Sequence, residues 1–203
     1  MRELRDDVKG KRSPDYDVNP LFVNRWSPRA LNRDMTEEDL MALFEAARWA
    51  PSSYNNQHWR FVYATHEDET WEEFVDLLDD FNASWASDGY ALIVMVSRET
   101  FEFNGEEAIT HSFDTGAAWE NLALEAADRD LAAHGIQGFD YEDAREKLDV
   151  PEGFSVEAMV AVGGKGDESK LDEDVRVEPN GRKELDGITS KGSFDFDVAN
   201  PEE

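Results

Sequence analysis

The chain has 203 residues, enough for one domain whose core would bury roughly 70% of the surface exposed when unfolded. It has no cysteine, which excludes disulfides, thiolate metal sites and a cysteine nucleophile, and its four histidines, His58, His66, His111 and His134, lack metal-ligand spacing. Acidic residues outnumber basic ones 47 to 20, a formal net charge of -27, which argues against nucleic acid and anionic membrane as partners because both are bound by basic patches.

Residues 1–20 mix charges with little apolar periodicity and read as a flexible lead without an apolar signal region. Lys9, Lys11 and Arg12 within it read as a solvated basic tip, with a phosphate contact as the alternative. Thr36 can cap a helix whose apolar positions Leu40, Leu43, Phe44 and Ala47 recur at the helical period, and Pro51 stops it. The connection Ala50-Pro51-Ser52-Ser53-Tyr54-Asn55-Asn56-Gln57-His58-Trp59 follows, loaded with small polar side chains of the kind that grip a polar ligand, and Arg60 to Ala64 reads as a strand.

A second helix is expected from near Asp68, including Trp71, Phe74, Val75 and Leu78. Ala91 to Val96 is an unbroken apolar run, too short to span a bilayer and typical of a strand covered on both faces, so a cytoplasmic protein is expected. Helical periodicity runs from about His111 to His134, apolar around much of its circumference, which places that helix centrally or at a subunit interface. A short helix near Tyr141 to Leu148 and a strand at Ala158 to Val162, ended by Gly163-Gly164, complete the regular elements. From Lys165 the chain turns polar, and residues 191–203 read as a flexible acidic terminus. The body, residues 21–190, is expected to be a single domain.

Three separated segments carry chemistry: Arg25-Trp26-Ser27-Pro28-Arg29, the Pro51 to Trp59 loop, and Asn180-Gly181-Arg182-Lys183. Together they resemble the nitroreductase family of flavin enzymes, from about Asn24 to about Leu185. Asn82-Ala83-Ser84-Trp85-Ala86, Asp114-Thr115-Gly116-Ala117-Ala118 and Gln137-Gly138-Phe139-Asp140 are similar to further family segments. Two departures are His58, where a proline is common, and the compressed stretch Ala132 to Ile136.

The resemblance implies an α+β fold with a mixed sheet flanked by helices, and a homodimer whose polar tail crosses to the partner through Val175, Val177, Leu185 and Ile188. It implies FMN as cofactor and NADH or NADPH as co-substrate, with hydride passed through flavin N5 to a nitroaromatic, quinone or similar small acceptor by a ping-pong mechanism. Arg25 and Arg182 would hold the phosphate, and Ser27, Ser52 and Ser53 the phosphate or ribityl oxygens. Asn55, Gln57 and Asn82 would bond the pyrimidine edge, their amides matching its alternating donors and acceptors. Arg29 would stabilise charge at N1 and O2, and a backbone N–H of Gln137 or Gly138 would face N5. No metal ligand is expected. The alternatives are reductive dehalogenation or flavin breakdown on the same fold, or flavin binding without catalysis. The acids are spread along the chain and interleaved with apolar residues, a pattern that resembles proteins of extreme halophiles.

Overall fold

The computed structural model describes residues 3–196; Met1 and Arg2 of the expected lead and residues 197–203 of the expected acidic terminus lie outside the described residues. Helix α1 (Pro20–Asn24) starts with proline in its first turn, and the Asn19 side chain accepts from the Leu21 N–H. After the two-residue strand β1 (Leu31–Asn32), α2 (Glu37–Arg48) begins in a full capping box between Thr36 and Asp39. Its first turn carries Glu37, Glu38 and Asp39 and its last turn Arg48, both signs suiting the helix dipole. Strand β2 (Trp59–Thr65) follows the polar loop.

The helix expected to run from Asp68 through Leu78 is shorter. Helix α3 (Trp71–Val75) ends before Leu78, which makes a bridge to Phe139, and Asp79 then caps α4 (Asp80–Ala86) by accepting from the Asn82 N–H. Strand β3 (Ala91–Arg98) is buried over all but its last residue. Helix α5 (His111–Asp128) stops six residues short of the expected His134. Asp130 turns the chain with φ of 64°, and the residues beyond it form strand β4 (Leu131–Ile136). Helix α6 (Tyr141–Lys147) agrees with the expectation to within one residue, whereas strand β5 (Phe154–Lys165) begins earlier than expected and continues through Gly163-Gly164. Those glycines are needed for closeness and do not end the strand: a Cβ on Gly163 would lie 2.5 Å from the Asn32 carbonyl oxygen, and one on Gly164 2.2 Å from Asn32 Oδ1.

Every pairing among the described strands is antiparallel, so within them the sheet is not the mixed one the resemblance implied. The order β2-β3-β5-β4 follows from the registers, with β1 extending β3's side of β5, since Gly164 pairs with Asn32 on one edge and Leu131 on the other. Strand alternation divides the interior into two cores. Leu92, Val94, Met159 and Ala161 face Trp71, Phe74, Leu77 and Trp85, while Ile93, Met95, Val160 and Val162 face Leu40, Leu43, Leu122 and Ala126. Each fully buried large apolar side chain contributes about 1.5–3 kcal/mol. The expected α+β architecture, a sheet with helices on both faces, is therefore present. No helix among the described residues is long and apolar enough to cross a membrane.

The described part of the lead is fastened to the body. Val8 is fully buried, and the Arg5 guanidinium donates to the Ala127 carbonyl and pairs with Asp130. Of the tail residues expected to dock on a partner, Val175 packs into its own chain's core, whereas Leu185 and Ile188 are exposed.

Candidate functional site

The expected site residues fall into two groups. The first gathers around the start of the body. Arg25 closes α1, its Nη1 donating to Ser27 Oγ at 3.3 Å, and its Nε lies 3.8 Å from Glu120 Oε1 on α5. Arg182, in the tail, donates to Asn180 Oδ1 and the Gly181 carbonyl. Arg12, which the sequence presented as a solvated tip, reaches between them and donates to the carbonyls of Val23, Arg25 and Asn180. Only its partners reveal it, because nothing in the composition of the lead distinguishes a clamp from a tip.

Arg29 is held more rigidly. Its Nη1 donates to the Val175 carbonyl at 3.0 Å, and its guanidinium carbon lies 4.8 Å above the Phe81 ring and 5.9 Å from the Trp85 ring. Its Nε is buried and has no acceptor among the described residues. Beside it His134 packs on Trp85 at 4.6 Å between centroids, and burial is the main reason its pKa is lowered.

Asn82 and Gly138 meet: Asn82 Nδ2 donates to the Gly138 carbonyl at 3.2 Å, which also accepts from the Asp79 N–H. The absence of a side chain at Gly138 serves this contact, since a Cβ would lie 2.2 Å from Asp79 Oδ2. Among the described residues the N–H groups of Gln137 and Gly138 have no protein acceptor. One of Asn82's donors is thus committed, while those two backbone donors are available.

The second group is the loop before β2. Ser52 Oγ accepts from the Gln57 N–H, Gln57 Nε2 donates to the Asn55 carbonyl, and Ser53 N–H donates to Asp114 Oδ2 at 2.9 Å. Three of its non-glycine residues, Tyr54, Asn55 and Gln57, have φ of 52°, 55° and 50°. Each such residue costs of order 1–3 kcal/mol, strain that persists where the surroundings fix it and that concentrates at ligand clamps. The fixing groups are buried: Asp114, and His58, whose Nδ1 donates to the Arg98 carbonyl at 2.8 Å, while Asn56 Nδ2 approaches the ring. The sequence presents Asp114 only within a family-like segment and His58 only as a departure from the family pattern, and assigns neither a role. A buried polar pair under a loop leaves no periodic trace.

No hydrogen bond, ion pair or ring contact among the described residues joins this loop to Arg25, Ser27, Arg29 or Arg182. Both groups touch α5, at Asp114 and at Glu120, about 9 Å apart along the helix and on different faces. Near the loop, Tyr54, Phe103, Ile109 and Phe113 are all exposed.

A model of the nitroreductase family matches residues 23–164. Among solved structures similar to this chain, one is an oxidoreductase containing FMN, 42% identical with a TM-score of 0.87, the match covering 91% of this chain and 96% of that one. A Desulfovibrio desulfuricans protein solved in complex with FMN is 21% identical with a TM-score of 0.60, covering 78% of this chain and 95% of that one, a likeness of fold alone. An uncharacterized 15.4 kDa protein of Mycolicibacterium smegmatis is 38% identical over 109 residues, 52% of this chain and 69% of that one.

Proposed function

The chain belongs to the nitroreductase family, and from that premise we propose that it is an FMN-dependent oxidoreductase using NADH or NADPH to reduce a nitroaromatic, quinone or similar electron-poor acceptor. The observation that carries the reading is Arg29, a guanidinium fixed by the Val175 carbonyl and the Phe81 face, with a buried Nε that lacks an acceptor. Unpaired buried donors are costly, and one in a guanidinium packed against aromatic rings fits a site completed by a group that brings its own acceptors.

The donor set suits FMN. Arg25 and Arg182 would hold the phosphate, with Ser27, Ser52 and Ser53 on its oxygens and the ribityl chain. Asn55, Gln57 and the uncommitted atoms of Asn82 would bond the pyrimidine edge, and the free N–H of Gln137 or Gly138 would face N5. When bound, FMN supplies the hydride acceptor and donor of a ping-pong cycle between nicotinamide and acceptor. Arg29 would favour the reduced state as a fixed positive charge that needs no reorganisation.

The separation of the loop from the arginines supports a homodimer in which the loop of one copy completes the arginine group of the other. Tyr54, Phe103, Ile109 and Phe113 would then be covered. A cytoplasmic, salt-rich setting accords with the charge.

Protein purified in high salt should carry a yellow chromophore, released as FMN on denaturation, and its visible band should bleach with NADH or NADPH and recover with a quinone. Absence of flavin, with no uptake of added FMN, overturns the reading. Bound flavin that stays oxidised under excess of both nicotinamides replaces it with flavin binding alone.

A further inference from the structure

The lead reaches both arginines proposed above for the flavin phosphate. Arg12 commits its guanidinium to two other parts of the chain, the end of α1 and Asn180. Nη1 donates to the carbonyls of Val23 and Arg25 at 2.8 and 2.6 Å, Nε to the Asn180 carbonyl at 2.8 Å, and Nη2 to Asn180 Oδ1 at 3.3 Å. Asn180 Oδ1 is also the acceptor for Arg182 Nη1. Arg12 thus fastens the backbone of one phosphate candidate and, through Asn180, the side chain of the other.

All of these acceptors are neutral, and among the described residues neither Arg12 nor Arg182 pairs with a carboxylate. In a chain with 47 acids and 20 bases, an acidic partner for an arginine is easy to supply. Instead a cavity of about 370 Å³ opens here, lined by Lys11, Arg12, Arg182 and Lys183 against Asp15 and Glu184. Burial and the charges of Arg182 and Arg25 lower Arg12's pKa, partly offset by Asp7, as expected of like charges held together. Gathering them costs stability unless an anion joins them.

We propose that Arg12 is a positioning residue for the flavin phosphate, fastening the Arg25 backbone and, through Asn180, the Arg182 side chain, and adding a positive charge that no carboxylate pairs with among the described residues. The proposal rests on the FMN reading above. A guanidinium is needed because four acceptors on two segments, the end of α1 and Asn180, demand its planar fork; lysine keeps the charge and loses the fork.

The test compares affinities for FMN and riboflavin, which differ by the phosphate, in wild type, Arg12→Gln, Arg12→Lys and Asn180→Ala, with exposed Arg48→Gln on α2 as control. Arg12→Gln should weaken FMN binding roughly tenfold to a hundredfold while riboflavin affinity stays within about twofold. Arg12→Lys and Asn180→Ala should fall between it and wild type, and the control should match wild type. Should Arg12→Gln fail to fold, the last two variants carry the comparison. Equal losses for both flavins, or no loss in any variant, overturn the role of Arg12 while leaving the flavin site standing. A wild-type protein that binds neither flavin removes the flavin reading and this proposal together.

Discussion

His134 is where the site residues bear most directly on stability. Its Nδ1 lies 3.0 Å from the Pro28 carbonyl oxygen, and because a carbonyl only accepts, Nδ1 carries the hydrogen. Burial lowers its pKa most, and Arg29 and Arg25 add to this, against the opposing hydrogen bond to Pro28 and the charge of Glu168. In the unfolded chain a histidine titrates near about 6.5. Above that pH both states are neutral here and nothing is lost. As pH falls below it the unfolded chain binds the proton first, so stability drains until the folded chain protonates as well. The loss is at most about 1.4 kcal/mol per pH unit. His134→Asn, which keeps a donor for Pro28, should lose less stability than wild type between pH 7.5 and 5.5 in urea titrations. Equal losses in the two proteins would show that His134 stays accessible to protons in the folded state.

At the scale of elements, what the sequence disclosed depended on whether the signal was local. The cap at Thr36, the stop at Pro51 and the doubly covered run in β3 are properties of neighbouring residues, and all three stand. Strand β4 was hidden because Leu131, Ala132 and Ala133 continue the apolar spacing of α5, and alanine suits either state. What separates them is a single left-handed residue, Asp130, and pairing with β5, a partner distant in sequence. Gly163-Gly164 misled for the same reason: glycine reads locally as a break, yet here it admits the backbones of β1 and the turn before β3. A Cβ on Gly163 would also lie 3.1 Å from the Tyr90 nitrogen, and backbone atoms cannot swing aside. Gly163→Ala should therefore cost about 1–3 kcal/mol or more. Gly187→Ala, with nothing within 4 Å of its Cβ, should change little. Denaturant midpoints decide it, and a Gly163→Ala protein as stable as wild type would mean that β1 can slide away from β5. The candidate site followed the same rule: its segments could be picked out one by one, but not that no contact among the described residues joins the loop to the arginines, nor that Arg12 donates to the end of α1 and to Asn180.

The whole molecule sets two charge problems against each other. Its formal charge of -27 resists compaction and resists the approach of an identical copy, yet the proposed site needs that copy and the cationic cluster needs an anion. Ion pairs such as Arg129 with Glu125 and Asp39, or Arg98 with Glu102, lie at the surface and contribute at most about 1 kcal/mol each, too little to offset so large an excess. Salt acts on both problems. At 1 M the Debye length falls to about 3 Å, which screens acids on separate elements from one another while leaving the buried contacts of α2, α5 and the sheet intact. The thermal midpoint should therefore climb steeply from dilute buffer to multimolar KCl, and light scattering over the same range should pass from monomer to dimer. If, as proposed, the flavin site takes residues from both copies, bound flavin should be retained only where the dimer persists. A flat midpoint would remove the reading of this chain as built for a salt-rich cytoplasm, and a monomer that keeps its flavin at low salt would show that the arginine group suffices without the loop of a second copy.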